Sequence, residues 1–166
     1  MLYFAYGSNM SVPRIQQRIN GAKQVDIARL AGYQLRFHKR GRDGSGKCDA
    51  FYTGDPMDFV WGVLFQLEAS HKVQLDQFEG VGQGYLDKTI NVINAKGAAF
   101  SAFMYYATEI DDRLHPFSWY KIHVVNGAKA AGLPAAYIEM LESVVAIEDV
   151  DINRTQQELS IYSNTS

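Results

Sequence analysis

The chain has 166 residues, 47% of them hydrophobic, and a net charge of −2. That is enough for one domain with a buried core and too little for two; no apolar run is long enough to span a membrane, and the balanced charge leaves no footprint for nucleic acid or a membrane surface. A single cysteine, Cys48, excludes an intramolecular disulfide and, with no cleavable leader evident, points to a reducing, cytoplasmic home.

Leu2 to Tyr6 is apolar and aromatic and reads as a short strand buried on both faces. Gly7-Ser8-Asn9 then forms a loop of small residues before a helix. Ser11 is placed to cap that helix, Pro13 is tolerated in its first turn, and Val12, Ile15 and Ile19 share one face up to Asn20-Gly21. Val25 to Leu30 and Tyr33 to His38 are two strands around Ala31-Gly32, a tight connection that predicts a hairpin. From Lys39 to Asp49 the composition turns to Gly, Ser, Lys, Arg and Asp without periodicity, which predicts a mobile loop. Ala50 to Thr53 and Val60 to Leu67 return to strand chemistry on either side of the Gly54-Asp55-Pro56 turn.

Ser70 is placed to cap a helix running through Leu75 and Phe78 to Gly80, followed by glycine-rich punctuation to Gly84. Tyr85 to Ile93 and Ala98 to Tyr106 form a strand pair joined around Asn94 to Gly97. Ser118 caps a helix carrying Trp119, Ile122 and Val125, Gly132 ends it, and Pro134 starts another with Tyr137, Leu141 and Val144 or Val145. Strands come first and helices last. This order predicts an α+β domain with an antiparallel or mixed sheet curling toward a barrel and helices against its outside, because the alternation of a doubly wound sheet is absent. Residues 1–149 are expected as the single domain and 150–166 as a polar, loosely docked tail. Phe117 and Trp119 are aromatic surfaces for the core or for an interface.

Three stretches bear on chemistry. The loop at Gly7 to Asn9 lets the backbone approach closely and aims several N–H donors at one place, which suits an anionic or developing negative oxygen. The plainer reading of the same residues is a glycine turn with local capping. Gly41 to Cys48 comes within one residue of the nucleotide-binding P-loop pattern, but Cys48 stands where a magnesium-binding hydroxyl is needed, and Asp49 to Pro56 cannot supply the helix that receives the phosphates. The adjoining cations, Arg36, His38, Lys39, Arg40, Arg42 and Lys47, read as a solvated face able to attract an anion. His38, His71, His115 and His123 never pair with each other or with Cys48 at metal-ligand spacing, so no structural zinc is expected.

Glu79 ends a helix beside Phe78 and immediately before a glycine loop. The helix dipole and an apolar neighbour both act to raise a carboxyl's pKa there, toward the value a proton acceptor needs near neutrality. An ordinary surface glutamate is the plainer alternative. Asp76, one turn earlier and further from the loop, reads as a supporting or surface group.

Tyr-Phe-Ala-Tyr-Gly-Ser-Asn-Met at residues 3–10 and Leu-Asp-Gln-Phe-Glu-Gly-Val at residues 75–81, at this separation, resemble the γ-glutamylcyclotransferases. The resemblance continues through Trp61-Gly-Val, Gly84-Tyr85, Tyr120-Lys-Ile, Gly127-Ala-Lys and Gly132-Leu-Pro134-Ala-Ala-Tyr137, and covers the chain to about residue 147; the tail from Glu148 and the basic segment 39–49 lie outside it. It implies a mixed, mostly antiparallel β-barrel with flanking helices that releases 5-oxoproline and a free amine from a small γ-glutamyl donor, with no metal or cofactor. It implies Glu79 as catalytic base and acid, Tyr6, Gly7, Ser8 and Asn9 as the floor under the γ-glutamyl group with Tyr3 in the same stretch, and Tyr85, Tyr105 and Tyr120 as pocket tyrosines. Each tyrosine has the alternative of a core aromatic with a hydrogen-bonded hydroxyl. Related enzymes include homodimers, so a second copy of the chain is an expected partner. Rival readings are the same chemistry on a specialised γ-glutamyl amine, and a barrel that binds a small ligand without turning it over.

Overall fold

A computed structural model describes residues 1–163. The core is a five-stranded closed barrel, built from β1 (Leu2–Ala5), β2 (Lys23–Ala31), β5 (Phe59–Gln66), β6 (Tyr85–Asn94) and β7 (Ala99–Ala107) in the order β1-β5-β2-β6-β7. Neighbours are antiparallel except where β1 closes on β7 in parallel at Tyr3 and Phe103. The barrel is therefore mixed and mostly antiparallel, and its closure leaves no open sheet edge. Phe4, Val63, Leu64, Phe65 and Met104 are buried without exposure on one face or the other of the barrel wall, and each buried side chain of this size contributes roughly 1.5–3 kcal/mol.

β3 (Tyr33–Arg40) and β4 (Gly46–Tyr52) form a separate two-stranded ribbon. The hairpin expected around Ala31-Gly32 is not made. Gly32, at φ +85°, is the only residue between β2 and β3 and leaves no room for a two-residue hairpin turn. The chain instead leaves the barrel there. Gly32 donates to the Asp58 carbonyl, and its own carbonyl accepts from Thr53 N and Gly54 N.

The mobile loop expected over Lys39 to Asp49 is likewise the end of this ribbon, with Gly41 to Ser45 as its turn. Its polar residues satisfy one another: Asp43 accepts from Ser45 N, Ser45 Oγ and Lys47 Nζ. A composition that reads as loop becomes ordered because a charged turn is internally paired and pressed onto the protein. The Asp49 carboxylate accepts from Ala107 N at 2.8 Å and contacts His38 Nε2 at 2.8 Å, joining ribbon to barrel.

Among the described residues, five α-helices lie outside the sheets: α1 (Val12–Arg18), α2 (Ala69–Glu79), α3 (Ser118–Ala131), α4 (Ala135–Ser143) and α5 (Ile152–Leu159). None is long and apolar enough to cross a membrane. α3 buries Trp119, Tyr120, His123, Val124 and Ala128 along one face, and Gly132 ends it in the left-handed region. Phe117 and Trp119 are core residues rather than an exposed interface. Three expected caps differ. Glu68, not Ser70, precedes α2 and forms a capping box with His71. Ser118 is already inside α3, with its hydroxyl on Ile147 O and Glu148 Oε1, and Ser11 makes no side-chain cap, its hydroxyl pairing with Tyr162 OH.

Beyond Asp149 the chain forms α5 and a short 3-10 turn over Ser160–Tyr162. Glu158 meets Arg14 at 2.5 Å, Tyr162 meets His123 Nδ1 at 2.7 Å, and Asp149 accepts from Trp119 Nε1 and Arg154. These pairings dock a segment whose apolar pattern is too weak to announce it.

Candidate active site

β1 ends at Ala5 and delivers Tyr6-Gly7 to one mouth of the barrel, where a single 3-10 turn, Ser8–Met10, follows. Gly7 has φ −114°, so close approach, not a left-handed conformation, requires glycine there. An added Cβ would lie 3.0 Å from Cys48 Cβ and 3.4 Å from Tyr120 OH. Ser8 and Asn9 open the turn, and amides in a first helical turn have no partner within it. The turn is held from outside by α3, since a Cβ on Gly127 would come within 2.4 Å of Ser11 N.

Glu79 is the last residue of α2 and faces this turn across a cavity of about 300 Å³ of empty space. Its side chain is 15% exposed. Asn9 Nδ2 donates to Glu79 Oε1 at 2.8 Å and also reaches Tyr3 OH at 3.1 Å. Arg18 Nη1, from the last turn of α1, donates to the same carboxylate oxygen at 2.6 Å and to Asn9 Oδ1 at 3.1 Å. Phe78 is not the apolar wall expected beside the acid. It is 56% exposed and stacks under the Arg18 guanidinium at 5.8 Å.

All nine residues singled out from the sequence line this cavity: Glu79, the loop Tyr6 to Asn9, Tyr3, Tyr85, Tyr105 and Tyr120. The tyrosine hydroxyls also serve the frame. Tyr6 OH donates to Tyr105 O at 2.5 Å, Tyr85 OH to Cys48 O at 2.6 Å, and Tyr105 OH to Asp76 Oδ1 at 2.6 Å. Tyr120 OH accepts from Cys48 N at 3.0 Å. Burial raises the pKa of all five phenols, with the Glu79 charge adding to the effect at Tyr3, so they stay protonated donors. Asp76 props Tyr105 and pairs with Lys72 at 2.9 Å, the supporting place expected of it.

Two site residues escaped sequence reasoning. Cys48, considered only as a defective P-loop position, lines the cavity with a thiol that burial pushes up to about 12, which leaves it inert as a nucleophile. Arg18 lies one turn after Arg14 on α1, and two arginines at that spacing on a short helix beside the loop were the available signal. Arg14 itself lies behind the loop, donating through Nε to Ser8 Oγ at 3.1 Å.

The basic segment is not the solvated face expected of it. His38 and Lys39 are buried, and Lys47 lies over the Trp119 ring at 4.5 Å. Lys39 and Lys47, with Arg14, Arg18 and Arg42, line a vestibule of about 880 Å³ that opens onto Ser8, Glu79, Tyr85 and Tyr120.

Residues 59–141 match the model of the AIG2-like family. The chain is 33% identical over 151 residues to the γ-glutamylcyclotransferases of Bos taurus and Homo sapiens, an alignment covering 86% of this chain and 78% of each relative. Among solved structures, one described as a γ-glutamyl cyclotransferase superposes with a TM-score of 0.87 at 29% identity, covering 98% of both chains. An uncharacterized protein from Homo sapiens superposes at 0.86 and 29% identity, covering 96% of this chain and 97% of that one. On this identity and coverage, and on the agreement in overall shape, the chain belongs to the γ-glutamylcyclotransferase family.

Proposed function

We propose that the cavity between the Tyr6–Asn9 loop and Glu79 holds the γ-glutamyl group of a γ-glutamyl amine or peptide and cyclises it to 5-oxoproline. The observation that carries this reading is the meeting of Asn9 and Glu79 at 2.8 Å on the wall of one small cavity. The substrate α-amine attacks its own γ-carbonyl carbon. A ring C–N bond forms, the bond to the departing amine breaks, and the free amine leaves beside 5-oxoproline. The incoming ammonium gives one proton to Glu79, which frees the amine to attack; ring closure releases a second proton from that nitrogen, and both end on the departing amine, so one carboxylate serves as base and acid.

Arg18 and Asn9 fix the direction of that carboxylate, and the incoming ammonium competes with them for its oxygens. The amides of Ser8 and Asn9 stabilise a negative oxygen of the γ-glutamyl group, and the tyrosine walls hold its chain folded, which can contribute several kcal/mol by pre-orienting the attack. The donor is a small molecule. A reducing, cytoplasmic setting suits the lone buried Cys48.

The test is 5-oxoproline release from γ-glutamyl-alanine by wild type and Glu79→Gln. The variant is expected to melt as wild type does and to lose at least about a thousandfold in kcat, as for removal of a proton-transfer group. A Glu79→Gln protein that keeps most of its turnover removes Glu79 from the mechanism.

A further inference from the structure

Arg14, near the start of α1, is buried, and its guanidinium reaches two elements that lie far apart in the chain. On one side Nε donates to Ser8 Oγ at 3.1 Å. On the other, Nη1 donates to Glu158 Oε2 on α5 at 2.5 Å. The same carboxylate oxygen lies 3.1 Å from His123 Nε2, and His123 Nδ1 lies 2.7 Å from Tyr162 OH, just past α5. Burial lowers the His123 pKa, so the ring is neutral near neutrality, and a charged carboxylate accepts without donating. Nε2 therefore carries the ring hydrogen, and Nδ1 accepts from Tyr162. Arg14 Nη1 and His123 Nε2, 3.0 Å apart, are thus two donors held on one acceptor.

A guanidinium has five N–H donors and no acceptor, so the bond between Arg14 and Ser8 runs one way. Ser8 Oγ accepts, and its own hydrogen is what the hydroxyl has to offer. Ser8 is 7% exposed, and it lines the cavity between its own loop and Glu79. The arginine fork is planar and rigid, so holding Nη1 on Glu158 also fixes where Nε points. Trp119 backs the guanidinium, with its ring centroid 6.0 Å from Cζ.

We infer that Arg14 is a positioning residue for the cyclisation: anchored by Glu158 of the C-terminal helix, it sets the Ser8 hydroxyl as a hydrogen-bond donor toward a negative oxygen of the γ-glutamyl group. This rests on the cyclotransferase reading above and deepens it. α5 is then a working part of the site although, among the described residues, none of its own lines the cavity. A tail that served stability alone would leave the kinetics of the folded enzyme unchanged.

The test is a double-mutant cycle on kcat/KM for 5-oxoproline release from γ-glutamyl-alanine, with Tm measured alongside. Ser8→Ala is expected to lower kcat/KM by about tenfold to a hundredfold, the worth of one hydrogen bond to a charged group. Arg14→Lys keeps a positive charge for Glu158 but loses the fork; it should lower kcat/KM by about threefold to tenfold with little change in Tm. Glu158→Gln, assayed well below its own Tm, should lower kcat/KM to a similar extent. Added to Ser8→Ala, either change should cost less than about twofold more, because the hydroxyl through which it acts is gone. Tolerance of Ser8→Ala, full kcat/KM in folded Arg14→Lys or Glu158→Gln, or losses that multiply in the double variants overturns the inference, while 5-oxoproline release by wild type leaves the cyclotransferase reading standing. Where Glu158→Gln fails to fold, the Arg14–Ser8 cycle still decides. Absence of 5-oxoproline from wild type with every γ-glutamyl donor overturns both.

Discussion

Glu158→Gln probes whether the C-terminal helix is part of the floor of the site. Arg14 is 8% exposed and directs its guanidinium to Ser8 Oγ and Glu158 Oε2. Burial acts to push the Glu158 carboxyl up, but the hydrogen bond to His123 and the charge of Arg14 outweigh it and hold the pKa at about 2 against 4.5 in a free chain. The folded-state value is the lower one. Its stabilising contribution is therefore complete above pH 4.5 and is lost as pH falls through about 2. At about 1.4 kcal/mol per unit this amounts to about 3 kcal/mol at neutral pH, in line with breaking a buried ion pair, and to about 2 kcal/mol at a pH of about 3.5.

For a chain of this size the neutral-pH loss corresponds to a fall in Tm of roughly 6–12 °C. His123, whose pKa burial lowers while Glu158 acts to raise it, adds acid lability below its ordinary value of 6.5 that is larger in the variant, so the neutral-pH difference is the clean measure of the pair. The measurement is the difference in Tm between wild type and Glu158→Gln at neutral pH, at about pH 5 and at about 3.5, followed by circular dichroism. A difference below roughly 2 °C at neutral pH would refute the pairing as the anchor of the tail.

Two further outcomes follow from the site geometry. Arg18→Gln removes the donor shared by Glu79 and Asn9 and is expected to lower kcat/KM for any γ-glutamyl donor by about tenfold to a hundredfold; unchanged steady-state kinetics would show that the carboxylate is aimed by other contacts. Gly127→Ala places a methyl 2.4 Å from Ser11 N and 2.5 Å from Met10 C, backbone that cannot step aside. Its cost of about 1–3 kcal/mol or more exceeds the helix-propensity gain of roughly 0.5–1 kcal/mol, so Tm should fall and activity with it; a Tm at or above wild type would mean that α3 stands further from the loop than described.

Local pattern was enough wherever a feature depends on neighbours in the chain. The β6–β7 hairpin and the Gly132 stop after α3 were readable from residue spacing, because hairpin turns and helix caps are short-range objects; the pairing of the glycine loop with a distant glutamate came only from the family resemblance. Six of the nine cavity residues, Tyr3, Tyr6 to Asn9 and Glu79, lie in the two leading motifs of the family resemblance, although neither motif says what distance lies between them.

Only the tertiary structure decided what depends on partners far away in the chain. Gly32 looks like a hairpin turn until β5 and β6 take both edges of β2, leaving β3 to pair with β4. The polar run from Lys39 to Asp49 looks like solvated loop until its charges meet Asp43, Trp119 and Tyr85. The tail has too few apolar residues to announce a docking helix, and is held by Arg14 and His123 from other elements together with Leu159 packed against the core. Charge pairing carries no periodicity, so it leaves no trace in the spacing of residues. It becomes visible only when the fold brings the partners within hydrogen-bonding reach, and in this protein it determines which charges around the site are paired, Arg14 with Glu158, Arg18 with Glu79 and Lys47 with Asp43.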